Sequence, residues 1–491
     1  MNTKHLRQKI LDLAIRGKLV PQDPADEPAS VLLERIRTEK ERLRIRGKIK
    51  PNNKNSTIFR NEDKSHYEQL PPGWEWCRLG EMCLAFQYGT SQKSDKKGRV
   101  AVLRMGNIKN GEIDYSDLVF TSDESDIKKY ELKPHELLFN RTNSPEWVGK
   151  TAIYRGEIPA IFAGYIIKIK PVIVNPFYLN YIMNSKYHRN ICLQVKTDGV
   201  NQSNINAQKL SYFVYPIPPL AEQHRIVTTI KSAFEIIDEI ERSKTDLQAA
   251  VTTAKSKILS LAIRGKLVPQ DPNDEPASVL LERIRAERQK LIKAGRIKPS
   301  KNESAIFRGC DNSYYTGLPD SWIVARICDV CEPQETKRPA GESFRYIDIE
   351  AIDNKRHSVT EPTTVRTNHA PSRAAKGVRT GDTLFSMVRP YLENIAFVTD
   401  ELSDCIASTG FYVCRPLPEI VFPSYMYHYL TSSYTITGIN TYMRGDNSPA
   451  IRKDEMDSFP IPVPPFDEQK RIVVAIETAF EQLDSIATTL V

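Results

Sequence analysis

The clearest hydrophobic pattern in the chain is a heptad repeat that begins at Ile226. Apolar residues recur there at alternating steps of four and three, which is typical of a coiled-coil helix. The pattern continues to Leu261 with one polar interruption. It predicts a helix from Leu220 to about Ile263, which would span roughly 65 Å at 1.5 Å per residue. Gly265 and the stretch LVPQDPNDEP then end it, because proline cannot continue the hydrogen-bond ladder.

The same pattern recurs in two pieces, one at each end of the chain. If the termini meet in space, they rebuild a second, discontinuous copy of the central element, which should lie antiparallel to the first. The predicted seam residues are Ile226, Ile230, Ile237, Ile240, Leu247, Val251, Ile258, Leu261, Ile472, Ile476, Leu483 and Ile486.

These helices belong to a sequence repeat. Residues 10–43 and 258–291 are identical at 28 of 34 positions, at an offset of 248, and a second repeated block starts at Pro216 and at Pro462, at an offset of 246. The identity extends to charged and loop positions that a coiled coil could vary freely. We therefore expect two like surfaces that bind two copies of one partner, while a recent duplication that has not diverged is the alternative. The candidate docking residues are Arg16, Lys18, Asp23, Glu34, Arg264, Lys266, Asp271 and Glu282.

Two variable segments, about 75–215 and 323–461, lie between the repeated blocks. Each follows an LPxxW motif and contains short alternating apolar runs such as RVAVLRM and FRYIDIEAI, which favour a strand-rich mixed α/β domain. The stretches NPFYLNYIMNSKYH and FPSYMYHYLTSSYT predict a matched helix in each segment.

The predicted fold class is α/β (α+β), with two mixed domains joined by long antiparallel coiled-coil helices in a pseudo-two-fold, circular arrangement. The predicted regions are an N-terminal helical region, a first variable domain, a central helical region, a second variable domain and a C-terminal helix. Their bounds are 1–69, 70–217, 218–316, 317–463 and 464–491.

Composition is that of a soluble globular protein, with 40% hydrophobic and 26% charged residues. The sequence contains no apolar run long enough to span a membrane, and we expect a cytoplasmic protein. The formal net charge of +8 favours an anionic partner. Cys328 and Cys331 form a lone C-x-x-C pair, and since a zinc site needs four ligands, we predict ordinary thiols and no metal.

Two short stretches resemble catalytic motifs, but neither has the neighbouring residues that its motif requires. NPFY at Asn175 resembles the N-P-P-Y signature of adenine methyltransferases. No glycine-rich cofactor loop precedes it, and FPSY at Phe422 favours a helix cap with a first-turn proline in both places. GKT at Gly149 lacks the earlier glycine of a phosphate loop. We therefore expect no catalytic residue in this chain.

Loops of the variable segments carry the side chains that pair with base edges and phosphates, although polar loops can also be simply solvated. Arg141 and Arg389 share the offset of 248, as Asn201 and Asn447 share 246, so we expect each pair to occupy equivalent positions. The candidate DNA-binding residues are Tyr88, Thr90, Ser91, Arg104, Asn107, Arg141, Asn143, Asn201, Gln202, Asn204, Lys337, Arg338, Arg345, Arg389, Tyr391, Arg444, Asn447 and Arg452.

Taken together, the two RGKLVPQDPxDEPASxLLERI blocks, the LPxxW openings and the PIPPxxEQxRIV-like closings resemble specificity subunits of type I restriction–modification systems. The resemblance covers the whole chain. It implies two target recognition domains, each reading one half of an asymmetric bipartite DNA sequence. It also implies conserved helices that set the spacing and dock two methylation subunits. Half-sites on one face of DNA lie about 34 Å apart per helical turn, which a spacer of the predicted length accommodates.

The resemblance places catalysis on partner subunits. Methylation subunits would use S-adenosylmethionine to modify adenine at N6, and restriction subunits would use ATP and Mg²⁺ to translocate and cleave, so no cofactor is expected in this chain. The alternative function is an orphan scaffold that binds methylation subunits without productive DNA reading.

Overall fold

A computed structural model describes the chain in five ranges, namely 2–47, 70–144, 147–198, 203–297 and 317–489. The chain divides into two compact units, Met1–Ser243 and Lys244–Val491. Each unit combines helices with several small sheets, so the mixed helix-and-strand class predicted from the sequence is confirmed.

Unit 1 contains a helical region and a sheet-rich domain. Its helices are α1 (Thr3–Ile15), α2 (Ala29–Ile45), α3 (Leu79–Met82), α4 (Glu124–Tyr130), α5 (Pro176–Ile182), α6 (Lys186–Val195), α7 (Ala207–Ser211) and the first part of α8 (Leu220–Ala262). Its strands are β1 (Glu75–Arg78), β2 (Cys83–Tyr88), β3 (Val100–Leu103), β4 (Ile108–Lys109), β5 (Glu112–Ile113), β6 (Val119–Thr121), β7 (Leu137–Asn140), β8 (Thr142–Asn143), β9 (Thr151–Ile153), β10 (Ala160–Phe162), β11 (Ile166–Pro171), β12 (Thr197–Asp198), β13 (Ser203–Asn204) and β14 (Val214–Ile217).

Unit 2 repeats this plan. Its helices are the remainder of α8, then α9 (Ala277–Lys293), α10 (Ile327–Val330), α11 (Pro423–Leu430), α12 (Ser433–Asn440), α13 (Lys453–Ser458) and α14 (Phe466–Thr489). Its strands are β15 (Ile323–Arg326), β16 (Ser343–Ile347), β17 (Ile352–Asp353), β18 (Ser358–Val359), β19 (Thr363–Arg366), β20 (Ala374–Gly377), β21 (Thr383–Ser386), β22 (Ile395–Phe397), β23 (Ile406–Ser408), β24 (Phe411–Cys414) and β25 (Pro460–Val463).

The sheet-rich domains are built around corresponding central strands. In unit 1 the central sheet has the order β2-β11-β7-β9, beside sheets β10-β3-β6 and β12-β13-β8. In unit 2 the order is β22-β21-β24, beside sheet β19-β16-β23-β20. Phe139 of β7 and Phe385 of β21 are both fully buried at the same place in these ladders. The two variable segments therefore share a framework of strands although their sequences show little similarity.

Each variable segment begins and ends at one two-stranded ladder. In unit 1, β1 runs antiparallel to β14, with Trp76 opposite Pro216. In unit 2, β15 runs antiparallel to β25, with Val324 opposite Pro462. Proline is tolerated because a two-stranded ladder leaves one edge of each strand unpaired.

An antiparallel helix pair supports the sheet-rich domain of unit 1. The Arg7 guanidinium of α1 lies 4.8 Å from the ring of Phe234 and bonds to Asp238 of α8 at 2.5 Å. Beyond the other end of α1, Gln22 bonds to Glu222 at the start of α8 at 3.1 Å. The chain therefore runs in opposite directions in the two helices, as the repeat predicted for this element.

Unit 2 contains the equivalent pair, made from the second part of α8 and α14. Lys255 lies 4.9 Å from the ring of Phe480 and bonds to Asp484 at 2.7 Å. Gln270 bonds to Glu468 at 2.6 Å. Each unit thus combines one copy of each repeated block in its own helix pair.

Glycine is required where the repeated helices end. Gly17 and Gly265 adopt left-handed backbone angles, with φ of 62° and 66°. A Cβ atom on Gly265 would lie 2.5 Å from Cγ of Pro319, and one on Gly17 would lie 2.4 Å from Cγ of Pro71. The prolines of the two LPxxW motifs therefore pack against helix ends that only glycine fits.

We predict that Gly265→Ala is more destabilising than Gly295→Ala. Gly295 has nearly the same φ, 67°, but nothing lies within 4 Å of its added Cβ. Gly295→Ala should cost roughly 1–2 kcal/mol of unfolding free energy for the left-handed conformation, and Gly265→Ala a further ~1–3 kcal/mol for overpacking against Pro319. Urea denaturation of both variants measures the difference, and equal losses would contradict the packing argument.

Candidate nucleic-acid interface

A buried polar cluster joins the helices of unit 1 to its sheet-rich domain. The Glu222 carboxylate accepts hydrogen bonds from Nε1 of Trp74 at 2.9 Å and from Nε2 of Gln22 at 3.1 Å. Glu222 lies in the first turn of α8 and is buried. Burial raises the pKa of this carboxyl, and the two hydrogen bonds oppose the rise. We call this cluster the Trp–Glu joint, because it fixes the LPxxW motif, the PQDP stretch and the long helix at one point.

Unit 2 contains the same joint. The Glu468 carboxylate accepts hydrogen bonds from Nε1 of Trp322 at 3.0 Å and from Nε2 of Gln270 at 2.6 Å. Burial again raises the pKa of the carboxyl against the effect of the hydrogen bonds. The two joints therefore share both geometry and electrostatics.

Ion pairs beside each joint use further residues of the repeat. Arg225 bonds to both carboxylate oxygens of Asp26, the shorter contact being 2.6 Å, and Arg471 does the same to Asp274 at 2.5 Å. These aspartates lie in the DPxDEP stretch, whose near-identity the sequence interpretation assigned to a shared partner. The structure corrects that argument, because part of the identity is explained by contacts inside each unit.

The candidate docking residues are nevertheless on the surface. All eight are exposed, namely Arg16, Lys18, Asp23, Glu34, Arg264, Lys266, Asp271 and Glu282. Sequence reasoning missed two equivalent valines beside them, Val31 and Val279, whose exposed fractions are 38% and 40%. A groove of about 410 Å³ lies along α2 and is lined partly by Val31, Glu34 and Ile173. The sequence did contain a signal for this surface, because Val31 and Val279 are identical residues at equivalent positions of the repeat.

The seam residues differ in burial along the helices. Those that are buried are Ile226, Ile230, Ile237, Val251, Ile472 and Ile476. Those that are partly buried are Leu247, Ile258, Leu261 and Leu483. Ile240 and Ile486 are exposed, against the heptad expectation.

Among the DNA-binding candidates of unit 1, Tyr88 and Arg141 lie together. The Arg141 guanidinium lies 4.8 Å from the centre of the Tyr88 ring, and its Nε donates to the Gly164 carbonyl at 3.3 Å. The Tyr88 hydroxyl accepts from the backbone N–H of Ala207 at 2.9 Å. Tyr88 is 40% exposed, so this stacked pair lies at the surface of the domain.

Polar side chains continue from this pair along the small sheet β12-β13-β8. Asn204 of β13 donates from Nδ2 to the Thr142 hydroxyl at 2.9 Å, and Asn143 lies opposite Ser203. Ser91 is exposed on the preceding loop. The candidates Asn201 and Gln202 lie outside the described residues.

The structure argues against two candidates of unit 1 and weakens a third. Thr90 is buried and bonds to Asp126. Asn107 is buried, and its amide nitrogen donates to the carbonyls of Asp114 and Asp117. Arg104 is paired with Asp117 at 2.8 Å. Short polar residues in loops often satisfy their own backbone, and the sequence could not distinguish that role from DNA contact.

The candidates of unit 2 are mostly exposed. Those on the surface are Lys337, Arg338, Arg389, Tyr391, Arg444, Asn447 and Arg452. Arg345 is instead bonded to the Glu401 carbonyl at 2.6 Å and to Asp404 at 2.9 Å, and Arg444 is paired with Glu455 at 2.8 Å.

The predicted equivalence of Arg141 and Arg389 is wrong. Ile205 donates its backbone N–H to the Arg141 carbonyl, and Ile451 donates to that of Met387, so Met387 is the counterpart of Arg141. The backbone N–H groups of Arg141 and Met387 also donate alike, to the carbonyls of Tyr165 and Gly410. Arg389 therefore stands at the position of Asn143, where it has a positive φ of 48° and bonds to the Asn447 carbonyl at 2.8 Å. Corresponding loops thus place their guanidinium groups at different positions.

Sequence reasoning also missed Trp147, which follows β8 in the segment between β7 and β9 that also contains Arg141. Its side chain is 48% exposed, and Nζ of Lys150 lies 3.4 Å from the ring centre. Burial lowers the pKa of Lys150, and the positive charges of Arg189 and Lys109 nearby lower it further. An exposed tryptophan beside several cations is a favourable contact for nucleic acid.

The NPFY residues have a structural role, as predicted. Asn175 caps α5, its side-chain oxygen accepting from the backbone N–H groups of Phe177 and Tyr178. Pro176 occupies the first turn, and α11 begins in the same way with Pro423. The matched helices predicted in the two segments are both present.

The described ranges contain neither a cluster of metal-ligating side chains nor a membrane-spanning helix. No three His, Cys, Asp or Glu side chains in those ranges are grouped as metal ligands would be. None of the described helices is both long and apolar enough to cross a bilayer.

Comparison with known proteins agrees with this architecture. The family model for the type I restriction modification DNA specificity domain matches residues 71–248 and 319–490. The EcoEI specificity subunit of Escherichia coli is 26% identical, covering 99% of this chain and 90% of its own length. The EcoAI specificity subunit of the same species is 28% identical over 98% of this chain and 90% of its own length.

A solved structure supports the fold. A chain from a structure concerned with complex assembly and conformational transition of the type I R-M system superposes with a TM-score of 0.54 at 17% identity. The match covers 86% of this chain and 94% of that one.

Each unit thus carries a sheet-rich domain on a helix pair of the repeat, and the exposed loops of the two domains differ. This is the architecture of a protein with two different binding surfaces on a common framework. Since the family model matches more than half of the chain, the chain belongs to the type I restriction–modification specificity subunits. The family description names DNA specificity as their activity, and we refer below to the sheet-rich domains as recognition domains.

We predict that Trp74→Phe destabilises the protein in a pH-dependent way. The variant removes one donor from a buried carboxylate, at a cost of about 1–3 kcal/mol. Loss of that donor also raises the folded-state pKa of Glu222 further. A carboxyl with a raised folded pKa contributes stability that is fully present below its unfolded pKa and is lost as pH rises through its folded pKa, so the further rise in the variant should make the deficit relative to wild type larger at pH 8 than at pH 5.

Urea denaturation at the two pH values measures this deficit. The control is Trp74→Phe in a Glu222→Gln background, which has no carboxyl to ionise at this position, and its deficit relative to Glu222→Gln alone should be the same at both pH values. A pH-independent deficit in the single variant would refute the role of the charged carboxylate.

Proposed function

We propose that this chain is the non-catalytic DNA-reading subunit of a type I restriction–modification complex. Each recognition domain reads one half of an asymmetric bipartite target, and the repeated helices set the spacing between the halves. The main support is the contrast between two nearly identical joints and two recognition domains whose exposed loops differ, as with Arg141 and Met387 at one equivalent position. A common framework with different reading loops suits a target with two unlike halves.

The repeated helices would dock two methylation subunits. The supporting surface comprises equivalent exposed residues on α2 and α9, with Val31 and Glu34 in one unit and Val279 and Glu282 in the other. The methylation subunits would bind S-adenosylmethionine and methylate adenine at N6, which requires the base to leave the stack and enter their pocket. Restriction subunits, joining through the methylase complex, would use ATP and Mg²⁺ for cleavage.

Mapping of modified adenines tests the proposal. Expressed with its methylation partner in a host without other adenine methylases, the chain should direct methylation to one bipartite motif with a fixed gap. A contiguous motif, or methylation without sequence preference, would refute it.

The alternative is a scaffold that binds methylation subunits without productive DNA reading. A gel shift on DNA carrying the mapped motif, with and without the methylation partner, separates the two functions. The DNA-reading function requires a sequence-selective complex in at least one case, and the scaffold function predicts none.

We predict that charge reversal on the repeated surface changes the number of bound methylation subunits. Glu34→Lys should remove one subunit, and Glu34→Lys with Glu282→Lys should remove both, because like charge at a complementary interface is strongly unfavourable. The matched control is Glu41→Lys, an exposed residue of α2 whose counterpart is Gln289. Light scattering of the purified complexes measures the stoichiometry, and equal effects of Glu41→Lys and Glu34→Lys would contradict docking at this surface.

A further inference from the structure

Several arginines of unit 1 stack on aromatic rings, but they differ in what their guanidinium groups bind. Arg155 lies 5.0 Å from the ring centre of Phe177, and its Nε and Nη2 are bonded to Glu112 at 2.9 and 2.5 Å. Arg7, stacked on Phe234, is similarly bonded to Asp238. Each of these stacks is completed by a carboxylate of the protein, which balances the charge of the guanidinium and occupies part of its donors.

Arg141 has the same stacking without the carboxylate. It lies 4.8 Å from the ring centre of Tyr88, and its Nε donates to the carbonyl of Gly164. Within the described ranges, neither terminal nitrogen of Arg141 has a hydrogen bond or ion pair. One edge of the guanidinium is therefore held by the protein, while the two Nη groups remain available as parallel donors.

The surroundings hold this side chain in place. The backbone N–H of Arg141 donates to the Tyr165 carbonyl, and its carbonyl accepts from Ile205. Gly89, next to Tyr88, packs so closely that an added Cβ would lie 2.1 Å from the Phe162 carbonyl oxygen. Ring, backbone and guanidinium are thus fixed together, which lowers the entropic cost of binding a ligand.

A fixed pair of parallel donors fits two neighbouring acceptors, which DNA offers as O6 and N7 of guanine or as two phosphate oxygens. The polar groups beside Arg141 favour the base. They are the amide and hydroxyl groups of Thr142, Asn143 and Asn204, which are uncharged and suited to base edges. Two phosphate oxygens would accept the same fork, so the uncharged neighbours of Arg141, and not the fork itself, favour the base.

We propose that Arg141, braced by Tyr88, reads a guanine in the half-site of the first recognition domain. This inference rests on the proposed function. The equivalent position in unit 2 is Met387, which has no donor and packs partly against the core, so the second domain reads its half-site with a different set of contacts. Recognition of guanine by an arginine at this position would therefore occur in only one of the two half-sites.

The test uses the full chain with its methylation partner and compares the methylated motifs of wild type, Arg141→Ala, Arg141→Lys and Arg155→Ala. We expect Arg141→Ala and Arg141→Lys to relax one G·C pair of one half-site, with discrimination there falling roughly 10- to 100-fold. Lysine keeps the charge but lacks the fork, and so should not rescue specificity. Arg155→Ala should leave the motif intact, and the unchanged second half-site reports that each variant is folded and assembled.

Salt-dependent DNA binding distinguishes the base from the phosphate. Loss of a base contact leaves the slope of log affinity against log salt unchanged, whereas loss of a phosphate contact weakens all sequences equally and reduces that slope by about 1. The second result, or an intact motif in Arg141→Ala, would overturn this inference while leaving the proposed function standing. A wild-type complex without a bipartite motif would overturn both.

Discussion

The arrangement of each unit depends on a buried carboxylate that must be hydrogen-bonded. Glu222 and Glu468 open their helices inside the protein, where an unpaired carboxylate would be strongly unfavourable. The indole and amide donors that satisfy each of them come from two other segments of the chain. The carboxylate therefore selects one relative position of helix, turn and recognition domain. Glycine at the helix end and proline in the LPxxW motif complete this position by close packing.

This constraint explains why the repeat is so uniform. A change at Gln22 removes one of the two donors of Glu222, and a change at Asp26 removes the ionic partner of Arg225. Glu34 and Glu282 are exposed and take no part in either joint, so they are the clearer guides to the proposed shared partner. The recognition domains show the opposite pattern, since their loops differ while their strands share a framework, as the proposed reading of two unlike half-sites requires.

Sequence patterns predicted the features that depend on local periodicity. The long helix was expected from Leu220 to about Ile263 and is found at Leu220–Ala262. The agreement is close because the heptad pattern persists along the helix and the glycine and prolines after it mark its end. The joint was not predicted, since Trp74 and Glu222 are far apart in the sequence and no periodicity relates them. The pairing of Arg141 with Arg389 failed because the offset of 248 applies only up to the LPxxW motif. The backbone hydrogen bonds of Arg141 and Met387 already follow the later offset, and a two-residue shift cannot be located by sequence where identity is low.

The ladder that opens and closes each recognition domain has an evolutionary consequence. Since β1 lies directly beside β14, the domain leaves and re-enters the helical framework at neighbouring points. A recombination event that replaces everything between these strands would deliver a whole new reading surface and leave both joints untouched. Exchange of complete cassettes is thus a shorter route to a new target than stepwise change of individual loops.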